Sequence, residues 1–388
     1  MGKNICFFSA GFAFNRLNRM RFYEKVLPKE TNIFLLTTDR WQDKAKESYQ
    51  FEWAGLNRTK IVSLKYDRTL PWQVRRFCIK NKIDRIINIG NRMSIVLFWF
   101  ASLFTKTEYL FNMMGWVPIG KEMLRNKIKK EIWDYFFFYF FAFFAKKITS
   151  NDLGVYKRFT GKNKPIFFRL FPNKTKVVYL PAPLNTDMFY KTDKIKARKK
   201  LGLPLNKNIV IFVGRINPNK CGDVLIELIK RNKDFLFVVI GRSVLKEFEK
   251  LLADKPKNLL YYSKKNPQEL IDYYNAADVS FLLMRLRGGG LGQTVQESLA
   301  CGLPAIVREL EGIKDTPALI QIPPERARFT ELVYSLKYGT EKSEKALKEF
   351  FSKSRSEREK LSKIAQEYAL KNYSHKVWAL PHIKEYLN

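Results

Sequence analysis

Residues 283–307 read LMRLRGGGLGQTVQESLACGLPAIV. A glycine-rich turn runs straight into a helical pattern, which stops at Gly302-Leu303-Pro304 and gives way to a short apolar strand. Glycine has no Cβ, so backbone N–H groups in such a turn can approach a ligand closely. The helix N-terminus behind the turn adds partial positive charge, which suits a phosphate. Glu297, on the first turns of that helix, is spaced to accept hydrogen bonds from a pair of sugar hydroxyls.

A second unit of the same kind comes earlier. Residues 209–213 (IVIFV) form an apolar strand that ends in Gly214-Arg215-Ile216-Asn217-Pro218-Asn219-Lys220, and a helical pattern begins near Gly222-Asp223. Arginine offers a planar fork of donors and lysine a point charge. At the mouth of a strand–loop–helix, the two together make a clamp for a diphosphate.

Working outward, strand and helix signals alternate along most of the chain. Short apolar runs lie at 5–9, 33–37, 61–64, 85–89, 109–112, 148–150 and 177–180, with helix-length segments such as 71–81 and 121–145 between them. A break follows at Pro181-Ala182-Pro183, and residues 191–207 are polar and mostly charged. The runs resume at 209–213, 235–240, 259–262, 279–283, 305–307 and 319–322, with helical patterns at 223–230, 244–254, 267–277 and 294–300. The tail, 343–388, is helical, highly charged and without strands. Such alternation predicts βα units feeding parallel sheets. The fold class is therefore α/β, with two doubly wound Rossmann-like domains. Ligands of such sheets bind at the carboxyl ends of the strands, where both phosphate loops lie.

Composition narrows the partners. The chain has 388 residues and a net charge of +34. Residues 1–180 hold 34 Lys and Arg against 13 Asp and Glu, and the remainder holds 37 against 24. A field of this size attracts an anion: nucleic acid, an anionic membrane or phosphorylated substrates. A generally lysine-rich proteome is the plainer explanation. Four scattered cysteines without a CxxC pair argue for a reducing compartment and against a disulfide framework or a zinc site. No DxD triplet occurs, and no His/Cys/carboxylate cluster has metal-ligand spacing, so no metal is expected. Met1-Gly2-Lys3 leads directly into the first strand pattern, so no signal peptide is expected, and no apolar stretch reaches the roughly 20 residues of a transmembrane helix.

The residues resemble those of the retaining family-4 glycosyltransferases, also called glycosyl transferases group 1, which have the GT-B fold. VGRINPNKCGD resembles the family's strand–GR–loop–KG segment, IGRS its next glycine turn, and LYYSKKNPQELIDYYNAADVSFLLMR the elements of its nucleobase pocket. LPAPLNTDMF resembles the segment before the linker, and KNYSHKVWALPHIKEYL the final helix, which returns to the first domain. The likeness is strong from 177 to 322 and weak before that.

The resemblance implies an acceptor-side domain over 1–188, a nucleotide-sugar domain over 189–372 and a returning tail helix over 373–388, the two domains facing across a cleft. It implies that Arg215 and Lys220 are catalytic and hold the donor diphosphate beside Gly214. Ser263, Lys264 and Lys265 would lie against the base, Gly241 at its glycine turn, and Glu297 on the ribose. Gly289, Gly290, Leu291, Gly292 and Gln293 would present backbone N–H groups to the sugar and its phosphate, and Gly11 would mark the first domain's acceptor-side turn.

Two departures stand out. The family carries a second glutamate eight positions before the ribose glutamate, where this chain has Gly289. The family often carries a first-domain histidine, yet the only histidines here are His375 and His382, and Asn112, Met113 and Met114 occupy that neighbourhood. Arg285 and Arg287 flank the glutamate gap, either facing the diphosphate or pointing to solvent.

The expectation is a retaining, metal-independent glycosyltransferase with no cofactor. Its donor is a nucleotide-diphosphate-sugar and its acceptor a glycan or polyprenyl-linked intermediate. Two segments that interleave basic and aromatic residues, FAFNRLNRMRFYEK and KRFTGKNKPIFFRLFPNKTK, favour an anionic membrane partner over solvated loops with core aromatics. The aromatic run ending at Ala145 is either a buried helix or an interfacial one. The expected location is cytoplasmic, peripheral on the inner face of the cell membrane. The alternatives are a catalytically degenerate sugar-nucleotide binder and a basic nucleic-acid-binding protein, the latter disfavoured because the charge follows no recognition motif.

Overall fold

A computed structural model describes residues 2–9, 14–39, 56–89, 94–113, 139–151, 153–162, 164–172, 175–285, 291–309, 316–325 and 334–387. The chain divides into two compact units, Met1–Pro183 with His375–Asn388, and Leu184–Ser374. The first crossing thus falls at Leu184, a few residues before the expected 188/189 boundary. The reason is local: the Leu184 amide donates to the Tyr373 carbonyl at 2.7 Å, and the Thr186 and Ser374 hydroxyls pair at 2.9 Å.

The first unit is built on a parallel sheet in the order β3-β2-β1-β4-β5-β6-β7. Its strands are β1 (Asn4–Phe8), β2 (Asn32–Thr38), β3 (Thr59–Leu64), β4 (Arg85–Asn88), β5 (Glu108–Met113), β6 (Lys147–Ser150) and β7 (Lys176–Tyr179). Helix α1 (Phe14–Val26) covers one face together with the tail helix, α13 (His375–Leu387). The other face carries α2 (Leu70–Lys80), α3 (Ser94–Ser102), residues 139–145, α4 (Leu153–Thr160) and α5 (Ile166–Leu170). Because both faces are covered, most of these strands read as continuous apolar runs rather than alternating ones.

The tail helix is fixed to this sheet by polar contacts. Arg85 Nη1 donates to the Tyr386 carbonyl at 2.6 Å, and Lys147 Nζ lies 3.3 Å from Glu385 Oε2. His382 Nε2 sits 3.0 Å from the Pro181 carbonyl, and burial pushes its pKa down to about 3.

The second unit has a parallel sheet in the order β10-β9-β8-β11-β12-β13. The strands are β8 (Asn208–Val213), β9 (Phe235–Ile240), β10 (Leu259–Tyr262), β11 (Val279–Leu282), β12 (Ala305–Arg308) and β13 (Leu319–Ile322). The helices are α6 (Lys194–Lys200), α7 (Gly222–Arg231), α8 (Lys246–Ala253), α9 (Pro267–Ala276), α10 (Gln293–Ala300), α11 (Leu336–Ser352) and α12 (Arg355–Tyr373). The strand order reverses between β8 and β11, and at such a reversal the two following loops diverge to leave a crevice.

The expected helix over 121–145 lies largely outside the described residues. Of its end, Tyr139, Phe141, Ala142 and Phe143 are buried in the core, while Phe144 is half-exposed. In the segment FAFNRLNRMRFYEK the two described aromatic side chains face the core. Phe22 and Tyr23 of α1 are buried, and Tyr23 stacks on Phe7 with ring centroids 4.5 Å apart. These aromatics serve the core. No described helix is long and apolar enough to cross a membrane.

Candidate functional site

The site is built at the carboxyl ends of β9, β8 and β11. Beyond its last strand residue, β8 stays stitched to β9: the Gly214 amide donates to the Ile240 carbonyl and the Ile216 amide to the Arg242 carbonyl, both at 2.9 Å. Gly214 and Gly241 have φ of +148° and +145°, a conformation that other L residues rarely adopt. A Cβ on Gly241 would stand 2.0 Å from the Gly214 carbonyl oxygen, and one on Gly214 would stand 2.4 Å from Lys220 Nζ. Two backbones and the lysine tip are therefore packed at a distance only glycine permits.

The loop then folds over a short 3₁₀ turn, Pro218–Lys220. Asn217 caps it, with Oδ1 accepting from the Lys220 amide at 2.9 Å. The cap turns the lysine side chain back to the Gly214 backbone. Burial, and then the Arg215 guanidinium, push the Lys220 pKa below the ordinary lysine range. Neither Arg215 nor Lys220 meets a carboxylate among the described residues. Two cations left close together and unanswered are relieved by an anion.

Arg285 does neither of the things its sequence position suggested. Its Nε donates to the Tyr334 carbonyl at 2.9 Å, one Nη to the Pro218 carbonyl at 3.0 Å and the other to Asp223 Oδ2 at 2.6 Å. Its own amide donates to the Asn219 carbonyl at 2.8 Å. Arg285 thus braces the Lys220 loop from beneath, joining the end of β11 to the start of α7. Sequence reading could not find this pairing, because Arg285 and Asp223 are 62 residues apart.

Helix α10 begins beside that brace. Gly292 is its N-cap with φ of −57°, and a Cβ there would make only an ordinary 3.7 Å contact with Leu282. Gly292 is therefore not demanded by backbone strain, unlike Gly214 and Gly241. The first amides of the helix, those of Gln293 and Thr294, have no intrahelical acceptor and carry the positive end of the helix dipole. Leu291 is buried. Gly289, Gly290 and Arg287 lie outside the described residues, as does Gly11.

Glu297 is held on α10 by Tyr274, whose hydroxyl donates to Glu297 Oε2 at 3.0 Å. Burial pushes the Glu297 pKa up to about 7, against the pull of that hydrogen bond. The carboxyl therefore stands at the edge of ionisation at neutral pH. Tyr274 is fully buried in the core, and its YYNAAD context gave no sign that its hydroxyl has a task.

The three residues expected against the base are not equivalent. Ser263 and Lys264 are exposed after β10. Lys265 is turned back: its Nζ lies 2.9 Å from Glu269 Oε1 and 4.6 Å from the Tyr262 ring centroid. Among the described residues there is no group of three His, Cys, Asp or Glu placed to hold a metal ion.

The second unit and the overall architecture are similar to known proteins. Residues 193–318, within the second unit, fit the model of the family Glycosyl transferases group 1. Over 158 residues the chain is 28% identical to a D-inositol 3-phosphate glycosyltransferase of Acidothermus cellulolyticus, covering 37% of this chain and 34% of the relative. Over 134 residues it is 29% identical to a GDP-mannose-dependent monoacylated α-(1-6)-phosphatidylinositol monomannoside mannosyltransferase of Corynebacterium glutamicum, covering 32% and 35%. The chain thus matches about a third of the length of these curated relatives.

The fold extends over the whole chain. Sucrose-phosphate synthase of Thermosynechococcus elongatus superposes with a TM-score of 0.74 at 14% identity, covering 99% of this chain and 98% of that one. HepE of Anabaena, crystallised with UDP, superposes with a TM-score of 0.71 at 11% identity, covering 99% of each. The fold is GT-B: two Rossmann-like units, each on a parallel sheet.

Proposed function

We propose that this protein is a retaining glycosyltransferase that moves a sugar from a nucleoside-diphosphate donor to a glycan or lipid-linked acceptor. The observation that carries the reading is the Arg215–Lys220 couple, which meets no carboxylate among the described residues, with Lys220 held over Gly214 at the point where the strand order reverses. The names of the relatives, and the UDP in HepE, support a nucleotide-sugar donor.

In the proposed reaction the acceptor oxygen bonds to the anomeric carbon as the bond from that carbon to the phosphate oxygen breaks, on the same face. The departing phosphate oxygen takes the acceptor proton, so the chemistry requires no histidine base. Arg215 and Lys220 stabilise the negative charge that grows on the leaving diphosphate. This assigns charge neutralisation to side chains, and the reaction is proposed to need neither metal nor cofactor. Glu297 accepts from the ribose hydroxyls, and the α10 N-terminus faces phosphate. The basic first unit suggests an acceptor presented at an anionic membrane, with the protein peripheral on its cytoplasmic side.

A panel of radiolabelled UDP-, GDP- and ADP-sugars, offered with membrane-extracted acceptors, tests this. Transfer with one donor and retention of anomeric configuration are the expected results. Tight donor binding without transfer or donor hydrolysis would turn the protein into a sugar-nucleotide binder.

A further inference from the structure

One face of the first unit has a composition that its packing does not explain. The described helices and turns over that face are formed by residues 68–82, 94–107, 139–146, 153–162 and 164–172. Together these segments contain twelve lysines and arginines and no aspartate or glutamate. The flanking acids are already engaged. Asp67 accepts from the Thr69 amide and hydroxyl, and Glu108 lies 3.2 Å from Arg85 and 3.0 Å from Lys146.

The same layer exposes large apolar side chains. Trp72 is 62% exposed, Ile79 55%, Phe104 99%, Ile166 54%, Leu170 65% and Phe171 54%. On α2 these alternate with charge at helical spacing: Trp72, Arg76 and Ile79–Lys80 form the outer stripe, while Leu70, Val74 and Cys78 form the buried one. On the opposite face the described side chains of α1 include no exposed large apolar residue, while Val377 and Leu380 of α13 are exposed.

Phe104 is the most telling residue. Its φ is +54°, a left-handed conformation that disfavours a bulky side chain. The turn around it is over-determined. Arg75 donates to the Phe100 carbonyl at 3.1 Å and to that of Leu103, the Thr105 hydroxyl donates to the Ala101 carbonyl at 3.0 Å, and the Thr105 amide donates to Ser102 at 3.2 Å. A strained backbone is thus held in order to present an aromatic ring wholly to water. Neither the strain nor the exposure benefits the isolated fold.

We infer that this face, centred on α2 and the α3 turn with α5 alongside, is a docking surface for an anionic lipid bilayer. Rings and aliphatic tips enter the interface while the surrounding Arg and Lys meet headgroup phosphates. This deepens the membrane part of the reading above and does not rest on the donor site. Nucleic acid fits less well, because a duplex or strand needs charge without a row of aliphatic tips such as Ile79, Ile166 and Leu170.

The test is flotation of the full chain with vesicles of phosphatidylcholine containing about one-third phosphatidylglycerol, a composition that supplies a negative surface potential. Phe104→Ser with Trp72→Ser, and separately Leu170→Ser with Phe171→Ser, are compared with wild type. Wild type floats, each double variant binds at least about 10-fold more weakly, and pure phosphatidylcholine binds poorly. Donor-induced thermal shifts are the same in all three proteins. Equal flotation of wild type and both double variants would overturn this face while leaving membrane association standing. Failure of wild type to float would overturn both. Tight single-stranded RNA binding at the same salt, insensitive to the apolar substitutions, would assign the face to nucleic acid.

Discussion

The two units share an architecture but use positive charge differently. In the second, the cations that brace the fold have a carboxylate: Arg198 and Lys194 share Asp278, Lys200 meets Asp272, Lys265 meets Glu269 and Arg285 meets Asp223. Arg215 and Lys220 are used differently, with the Lys220 tip packed against Gly214 and the Arg215 guanidinium beside it. They lack a carboxylate among the described residues and sit at one strand end. In the first unit the excess is spread over a helical layer whose described segments carry no acids, with apolar tips between the charges. A cation pair left unanswered at one point suits a small, dense anion such as a diphosphate. An acid-poor sheet face suits an extended anionic surface. Net charge alone does not separate these uses; the pairing pattern does.

The largest expected effect breaks the strand-end half of the comparison. Lys220→Ala and Arg215→Ala should each lower the transfer rate about 100-fold or more, since each removes charge that answers the leaving diphosphate. Lipid flotation should not change. Wild-type turnover in both variants would show that the clamp has been misassigned.

Gly241→Ala comes next. Its Cβ has no room beside the Gly214 carbonyl, and its φ is strained for alanine. A cost above about 2 kcal/mol is expected, seen as a fall in Tm of roughly 5 °C or more, together with weakened donor binding. Gly292→Ala, where there is space, should leave Tm nearly unchanged. This pair of glycines tests whether backbone approach matters at one loop and not at the other.

Arg285→Met should leave the fold intact but loosen the Lys220 loop. A loss of roughly 10- to 100-fold in kcat, with a smaller change in KM, is expected from a misplaced charge. Loss of donor binding alone, with kcat unchanged, would contradict the bracing role.

The smallest effects concern Glu297. Its pKa of about 7 lies above the ordinary carboxylate value, so the neutral acid prevails below pH 7 and the carboxylate above it. Ribose hydroxyls donate better to the carboxylate, so donor affinity should rise from pH 6 to pH 8. Glu297→Gln should flatten that rise and raise the donor KM about 10-fold, the scale of losing a charge-assisted hydrogen bond. Tyr274→Phe removes the donor that favours the ionised form and should move the midpoint upward. A pH-independent wild type would contradict the ribose role.

The strands were legible because most are buried on both faces and so appear as unbroken apolar runs, bounded by Gly, Pro and Asn. The glycine and basic residues at strand ends were legible because strand–loop–helix order fixes where they lie. What escaped were interactions between residues far apart in sequence. The Arg285–Asp223 brace and the Tyr274–Glu297 bond join different βα units, and nothing in either local pattern requires them. Phe22 and Tyr23 of α1 were not legible as core residues because interleaved Arg and Phe look alike on a core helix and an interfacial one. Only burial distinguishes them, as Tyr23 against Phe7 shows.

The central claim is that Arg215 and Lys220 form an anion clamp over Gly214. Titration calorimetry of wild type and Lys220→Ala with UDP and GDP, and with the corresponding nucleosides, tests it most directly. The account predicts that one diphosphate binds wild type, that the variant loses at least about 10-fold in affinity for it, and that the weak binding of the nucleoside is the same in both proteins. Equal diphosphate affinity in wild type and variant would contradict it.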